Sequence, residues 1–169
     1  NSSESMPCGG GNIGMNVWVE NNDVLFYLSQ SGTFDENNVF MKLGRVRLSF
    51  QPNPFEGAQL KQELKLKEGF MEIEAIKDGK RTVVEIWANV FSPVVEVSVK
   101  SEQPLLFSAT YESWRTKPLK WTTSGQVRAS IAFRDAPIQA IIQPDSVKLM
   151  DNSVLWYHRN QEKTLFDVT

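Results

Sequence analysis

The sequence predicts an all-β fold: an antiparallel two-sheet β-sandwich of the super-sandwich type, about a dozen strands with little or no helix. Three observations predict it. Apolar and polar residues alternate with a period of two along most of the chain, pairs of Asn, Asp and Gly separate the alternating runs, and β-branched and aromatic residues fill the alternating positions.

In chain order, Val17-Trp18-Val19 and Val24 to Leu28 are two strands joined by Asn21-Asn22-Asp23, residues that tolerate the positive φ of a tight hairpin. Val46, Leu48 and Phe50 alternate with Arg45, Arg47 and Ser49; Gly44 inside this run suggests a bulge, and Pro52-Asn53-Pro54 ends it because proline cannot donate to a ladder. The stretch Gln59 to Glu68 fits a helical spacing, but Leu64 and Leu66 alternate strictly with Glu63, Lys65 and Lys67, and Gly69 follows, so a strand is favoured. Met71, Ile73 and Ala75 alternate with Glu72 and Glu74, and Asp78-Gly79 turns the chain into a strand from Thr82 to Val90. Beyond Ser92-Pro93, Val95, Val97 and Val99 alternate with Glu96, Ser98 and Lys100; Val127, Ala129, Ile131 and Phe133 repeat the pattern later. With no internal repeat and no linker, residues 1–169 read as one sandwich domain.

Composition removes several classes of function. The 169 residues carry 18 Lys plus Arg against 20 Asp plus Glu, a net charge of −2, so the basic stripe of a phosphate-binding protein is missing and no nucleic-acid partner is expected. Cys8 is the only cysteine and His158 the only histidine, which leaves no disulfide framework, no cysteine zinc cluster and little material for Ser/His or Cys/His catalysis. No cofactor is expected. No apolar run approaches the roughly 18 residues of a membrane span. A chain beginning at Asn1 reads as a processed or truncated product, with Asn1 to Ser5 as a flexible polar lead-in.

Three constellations carry candidate chemistry. In Met6-Pro7-Cys8-Gly9-Gly10-Gly11-Asn12-Ile13-Gly14 the glycines let backbone pass close to a neighbour; a β-pattern follows and there is no P-loop lysine, so a tight turn against another layer is favoured over nucleotide binding. In Ser29 to Asn38, a polar loop by composition, the adjacent carboxylates Asp35 and Glu36 suit a cation or sugar hydroxyls, although EF-hand spacing is absent. The ordinary alternative is a solvated acidic pair. In Val154-Leu155-Trp156-Tyr157-His158-Arg159-Asn160, a continuous strand would put Trp156 and His158 on one face and Tyr157 and Arg159 on the other. Flat aromatic surface beside fixed hydrogen-bonding groups suits sugars; the alternative is a last strand whose aromatics cap the core.

Taken in order, these pieces resemble the N-terminal β-sandwich domain of fucosidase-like glycoside hydrolases with an (α/α)6 catalytic barrel, family ninety-five and its relatives. The resemblance rests on the glycine turn from Met6 to Gly14, on Leu43-Gly44-Arg45-Val46-Arg47-Leu48-Ser49-Phe50, on Leu60 to Leu66 running through Asp78-Gly79, and on Glu85 to Val95 around Ser92-Pro93. Trp156 to Asn160 is similar to a segment of an uncharacterised branch from Bacteroides-type secreted proteins. Gly10 stands where the family has Asn, and Ser29-Gln30-Ser31-Gly32-Thr33-Phe34 replaces its Asn-Glu-Asp-Thr-x-Trp loop.

The resemblance implies a noncatalytic N-terminal module, periplasmic or extracellular, whose partner is a downstream catalytic domain of the same chain. Asn12, Asp35, Glu36, Trp156, His158 and Arg159 would then meet oligosaccharide or that domain. A freestanding carbohydrate-binding module and a purely structural docking domain are the alternatives. Catalysis by two of the 20 acids would need carboxyls about 5–9.5 Å apart across a substrate, for which sequence adjacency is no evidence.

Overall fold

A computed structural model describes residues 2–36, 39–120 and 141–160. Among them one 3-10 turn, Ser2–Glu4, precedes thirteen strands: β1 (Met6–Gly10), β2 (Ile13–Glu20), β3 (Asp23–Phe34), β4 (Phe40–Gln51), β5 (Gln59–Lys65), β6 (Phe70–Lys77), β7 (Lys80–Ala88), β8 (Val95–Ser101), β9 (Leu106–Glu112), β10 (Leu119–Lys120), β11 (Ile141–Ile142), β12 (Ser146–Met150) and β13 (Ser153–Tyr157). The all-β sandwich expected from the alternation is the fold observed. The strand expected over Val127 to Phe133 lies outside the described residues.

The chain forms two compact units, neither of them contiguous: residues 1–31 with 43–112, and residues 32–42 with 113–169. The first holds a five-stranded sheet in the order β1-β2-β3-β4-β9 and a four-stranded sheet in the order β5-β6-β7-β8. Period-two alternation aims one face of each sheet at a shared core. Met15, Val17, Val24, Phe26, Leu48 and Phe50 come from one sheet, and Met71, Ile73, Ala75, Val84, Ile86 and Ala88 from the other, with Phe55 between β4 and β5 joining them. Each large side chain buried this way contributes about 1.5–3 kcal/mol of transfer free energy. Trp18 and Leu25, direct cross-strand partners on the opposite face of β2 and β3, are also buried.

The hairpin turns take the conformations their residues predicted. Asn21 and Asn22 have φ of 52° and 64°, and Asp78 and Gly79 have 51° and 75°. A side chain on Gly79 would meet open space, so only backbone strain opposes it. Gly79→Ala should therefore cost about 1 kcal/mol in urea unfolding; an unchanged midpoint would show that this turn relaxes to another type.

The glycine stretch makes the tight turn expected of it at Gly11-Asn12, after a strand that runs as far as Gly10. Its glycines serve close approach: a Cβ on Gly9 would lie 2.6 Å from the Ile13 carbonyl oxygen, and one on Gly10 would lie 2.9 Å from that of Ala88. The polar stretch from Ser29 differs from its expected form: it is not a loop at first, because Ser29 and Gln30 keep ladder partners in Gly14 and Ile13 and β3 continues to Phe34. Pairing with a neighbour overrode the polar composition. The polar lead-in is likewise ordered over Ser2–Glu4, where the Ser5 amide donates to the Ser2 carbonyl and the Asn16 side chain donates to Ser5 Oγ at 3.1 Å.

The second unit contains two small sheets, β10-β11 and β12-β13. β13 ends at Tyr157, so the single continuous strand imagined through His158 and Arg159 does not form. His158 leaves the ladder and enters a polar cluster.

Candidate functional site

Within the second unit, four stretches far apart in sequence meet around His158. The turn after β3 brings Glu36, the segment after β9 brings Ser113 and Arg115, the segment before β12 brings Asp145, and the chain leaving β13 brings His158 itself. His158 Nε2 lies 2.8 Å from Glu36 Oε2, and Nδ1 lies 3.0 Å from Asp145 Oδ1. Arg115 Nε donates to the same Asp145 oxygen at 2.8 Å, and Ser113 Oγ donates to Asp145 Oδ2 at 2.6 Å. The second Glu36 oxygen accepts the Gln143 amide at 2.7 Å.

These side chains are withdrawn from water: His158 is 5% exposed, Asp145 2%, Glu36 8% and Arg115 11%. An imidazole between two ionised carboxylates satisfies both only with a proton on each nitrogen. In that form the cluster holds two negative and two positive groups and is neutral as a whole, the condition under which buried charge is tolerated. Burial alone would push the Asp145 carboxyl up, but bonds from Arg115, Ser113 and His158 outweigh it and hold the group below its ordinary range.

The cluster is a frame more than a reactive centre. Both ring nitrogens of His158 face carboxylates, so neither is left to take a proton from a substrate. Backbone bonds extend the frame: the Asp145 amide donates to the Arg115 carbonyl at 2.8 Å, Arg115 Nη1 donates to the Lys42 carbonyl at 2.8 Å, and Asn160 Nδ2 donates to the Phe34 carbonyl at 3.2 Å. Asp35 stands beside it, paired with Val39 through both backbone and side chain, with its Oδ1 accepting the Val39 amide at 2.9 Å.

Next to this frame is a pocket of about 340 Å3, at the lower end of the range for small-molecule sites. Its walls are mainly apolar, with Phe40, Trp114 and Ile142 among them, and its polar lining includes Asp35, Arg115 and Lys117. Trp114 is half exposed, with the Arg115 guanidinium 5.6 Å from its ring centre. A flat ring face beside polar groups whose positions are fixed by other bonds matches what a sugar ring requires.

Of the six residues singled out from the sequence, Glu36 and His158 form the frame and Asp35 lines the pocket. The acidic pair is buried, at 4% and 8% exposure, where solvation was the ordinary expectation, because a histidine and backbone amides receive it. Trp156 sits half-buried in the β12-β13 hairpin opposite Val147, and Arg159 is exposed. Asn12 belongs to the first unit, exposed in the β1-β2 turn, where its carbonyl accepts the Ser31 amide at 2.8 Å. Sequence reasoning missed Ser113, Arg115 and Asp145, which stand in irregular segments and carry no motif. Among the described residues, no group of three or more His, Cys, Asp or Glu side chains has the arrangement to hold a metal ion, and no helix is long and apolar enough to cross a membrane.

Comparison with known proteins gives one finding. Residues 1–169 match a family described as "Domain of unknown function (DUF5703)". No curated protein and no solved structure matches the chain.

Proposed function

The chain belongs to this family of unknown function, and from that premise we propose that it is a noncatalytic β-sandwich module of a secreted, glycoside-hydrolase-like protein, which helps frame a sugar site completed by another domain of the same protein. The single observation that carries the reading is the saturated cluster around His158. Among the described residues of the second unit, His158, Glu36 and Asp145 are spent on one another and on backbone, which fits a role in holding a binding surface in place. The pocket beside Trp114 supplies that surface.

The ordered sequence resemblance to the N-terminal sandwich of fucosidase-like hydrolases points the same way. Packing on another domain is favoured by the loop between β7 and β8. Phe91 is 97% exposed there, beside exposed Val90 and Val94. The loop is nonetheless held by hydrogen bonds, since Asn89 Oδ1 accepts the Phe91 amide and the Asn89 amide donates to the Val94 carbonyl. A large apolar side chain presented on an ordered loop suits an anchor at an interface. A freestanding carbohydrate-binding module is the second reading, favoured by a pocket whose lining is complete enough to take a small ligand within one unit.

Turnover separates these readings from an enzyme. The 169-residue chain should release no product from a panel of aryl glycosides, while in the longer protein Trp114→Ala should raise KM with a smaller effect on kcat. Hydrolysis by the chain itself, abolished by substitution of one carboxylate, would overturn the proposal.

A further inference from the structure

We propose that β9 is the seam of a two-fold homodimer, in which the β9 strands of two copies of this chain pair antiparallel and join their five-stranded sheets. The proposal stands apart from the sugar-site reading. Four strands end the two sheets of the first unit, β1 and β9 in one and β5 and β8 in the other. An open edge presents a row of unpaired backbone donors and acceptors, and proteins guard such edges with charge, proline or irregular geometry. Three of the four are guarded. β1 is short and holds Pro7, Gly9 and Gly10, β5 carries Lys61, Glu63 and Lys65, and β8 carries Glu96 and Lys100.

β9 has no such guard. Its seven residues, Leu106 to Glu112, include no proline and no glycine, and their one charge is at the last position. That charge is spent within the sheet, where Glu112 meets Arg45 and Arg47 of β4. Among the described residues β4 is the only ladder neighbour of β9. Leu106 is 77% exposed, and Phe107 is 53% exposed although its ring lies on the core side, 6.3 Å from that of Phe50. A core-side aromatic left half open is what one more strand beside β9 would cover.

The order of residues in β9 complements itself. Paired antiparallel about Ala109, two copies set Phe107 of one against Tyr111 of the other, Ser108 against Thr110 and Ala109 against Ala109, with Leu106 facing Glu112 at each end. Alternation stays in phase: Phe107, Ala109 and Tyr111 of both copies fall on the core side, and Ser108 and Thr110 on the other. Aromatic pairs and hydroxyl pairs of this kind stabilise neighbouring strands. The two small alanines let the strands meet at the axis without crowding. The two Glu112 residues end about 20 Å apart along the seam, so no like charges meet across it. Each copy offers the same patch, so the contact is isologous and closes at two.

The test is sedimentation velocity of the 169-residue chain over a concentration series. One strand pair is a small interface, so the chain should form a dimer that dissociates on dilution, with a Kd of about 10–100 µM. Ala109→Lys and Ala109→Glu each set a charge against its own copy at the axis, and each should weaken the dimer by about tenfold or more. An equimolar mixture of the two variants should recover it, since opposite charges then meet; recovery also shows that both variants fold. Leu149→Ser, at an exposed position of the β12-β13 hairpin, should leave the dimer unchanged. A chain that stays monomeric throughout, or a dimer that Ala109→Lys leaves intact, would overturn the proposal. So would a dimer lost in Leu149→Ser, or two Ala109 variants that keep a native circular dichroism spectrum and do not pair when mixed.

Discussion

Asp145→Asn should lower the stability of the second unit by about 3–5 kcal/mol, the range expected when one member of a buried charge network is removed and the others stay. Asp145 receives Arg115, Ser113 and His158 at once and is 2% exposed. An amide in its place leaves the Arg115 guanidinium, whose side chain is 11% exposed, without its counter-charge. The loss has a local signature in hydrogen exchange: the amides of Gln143 and Asp145, which donate to Glu36 and to the Arg115 carbonyl, should exchange faster, while those of β6 keep their protection. A cost below about 1 kcal/mol would mean that water replaces the network at little loss.

The same residue sets a pH dependence. The unfolded chain takes up this proton near the ordinary value of 3.8, whereas the folded protein takes it up only at lower pH. The stabilisation is therefore complete above the ordinary value and disappears as pH falls through the folded one. Stability curves of the native protein and of Asp145→Asn should diverge at neutral pH and converge in acid. Parallel curves would remove Asp145 as the source.

The second large effect is expected at Gly44. Its φ is +151°, and a Cβ placed there would clash with Cε2 of the Tyr111 ring. The ring has little freedom to retreat, because Tyr111 Oη donates to the Leu43 carbonyl at 2.8 Å and Tyr111 pairs with Val46 across β4 and β9. Gly44→Ala should cost about 2–4 kcal/mol, combining backbone strain with a displaced ring. In a protein already carrying Tyr111→Ala, the cost of Gly44→Ala should fall to the strain alone, about 1–2 kcal/mol. Identical costs in both backgrounds would show that the ring is not the obstacle.

Much of the sandwich was legible because its signals are local. The alternation in Met71-Glu72-Ile73-Glu74-Ala75 requires one dry face whatever that face meets, and Asp78-Gly79 tolerates positive φ in any hairpin. Gly44 suggests a bulge by its place inside an alternating run, but nothing nearby in sequence discloses the aromatic ring of Tyr111, 67 positions later. The candidate site was legible only in part for the same reason. Glu36 and His158 drew attention as an acidic pair and a lone imidazole, yet their meeting spans 122 positions. Asp145 and Arg115 had no signal, since an aspartate after a proline and an arginine after a tryptophan describe many surface loops. What makes them matter is burial, which is a property of the folded unit and not of their neighbours in the chain.

The most direct test of the central claim, that the pocket held by the His158 frame is a sugar-contacting surface, is an amide NMR titration of the 169-residue chain with a panel of neutral and acidic oligosaccharides. The account predicts saturable shift changes concentrated at Asp35, Lys42, Trp114, Arg115 and Ile142, lost in Trp114→Ala. Saturable changes confined to the β1-β2 turn around Asn12, or none with any glycan, would contradict it.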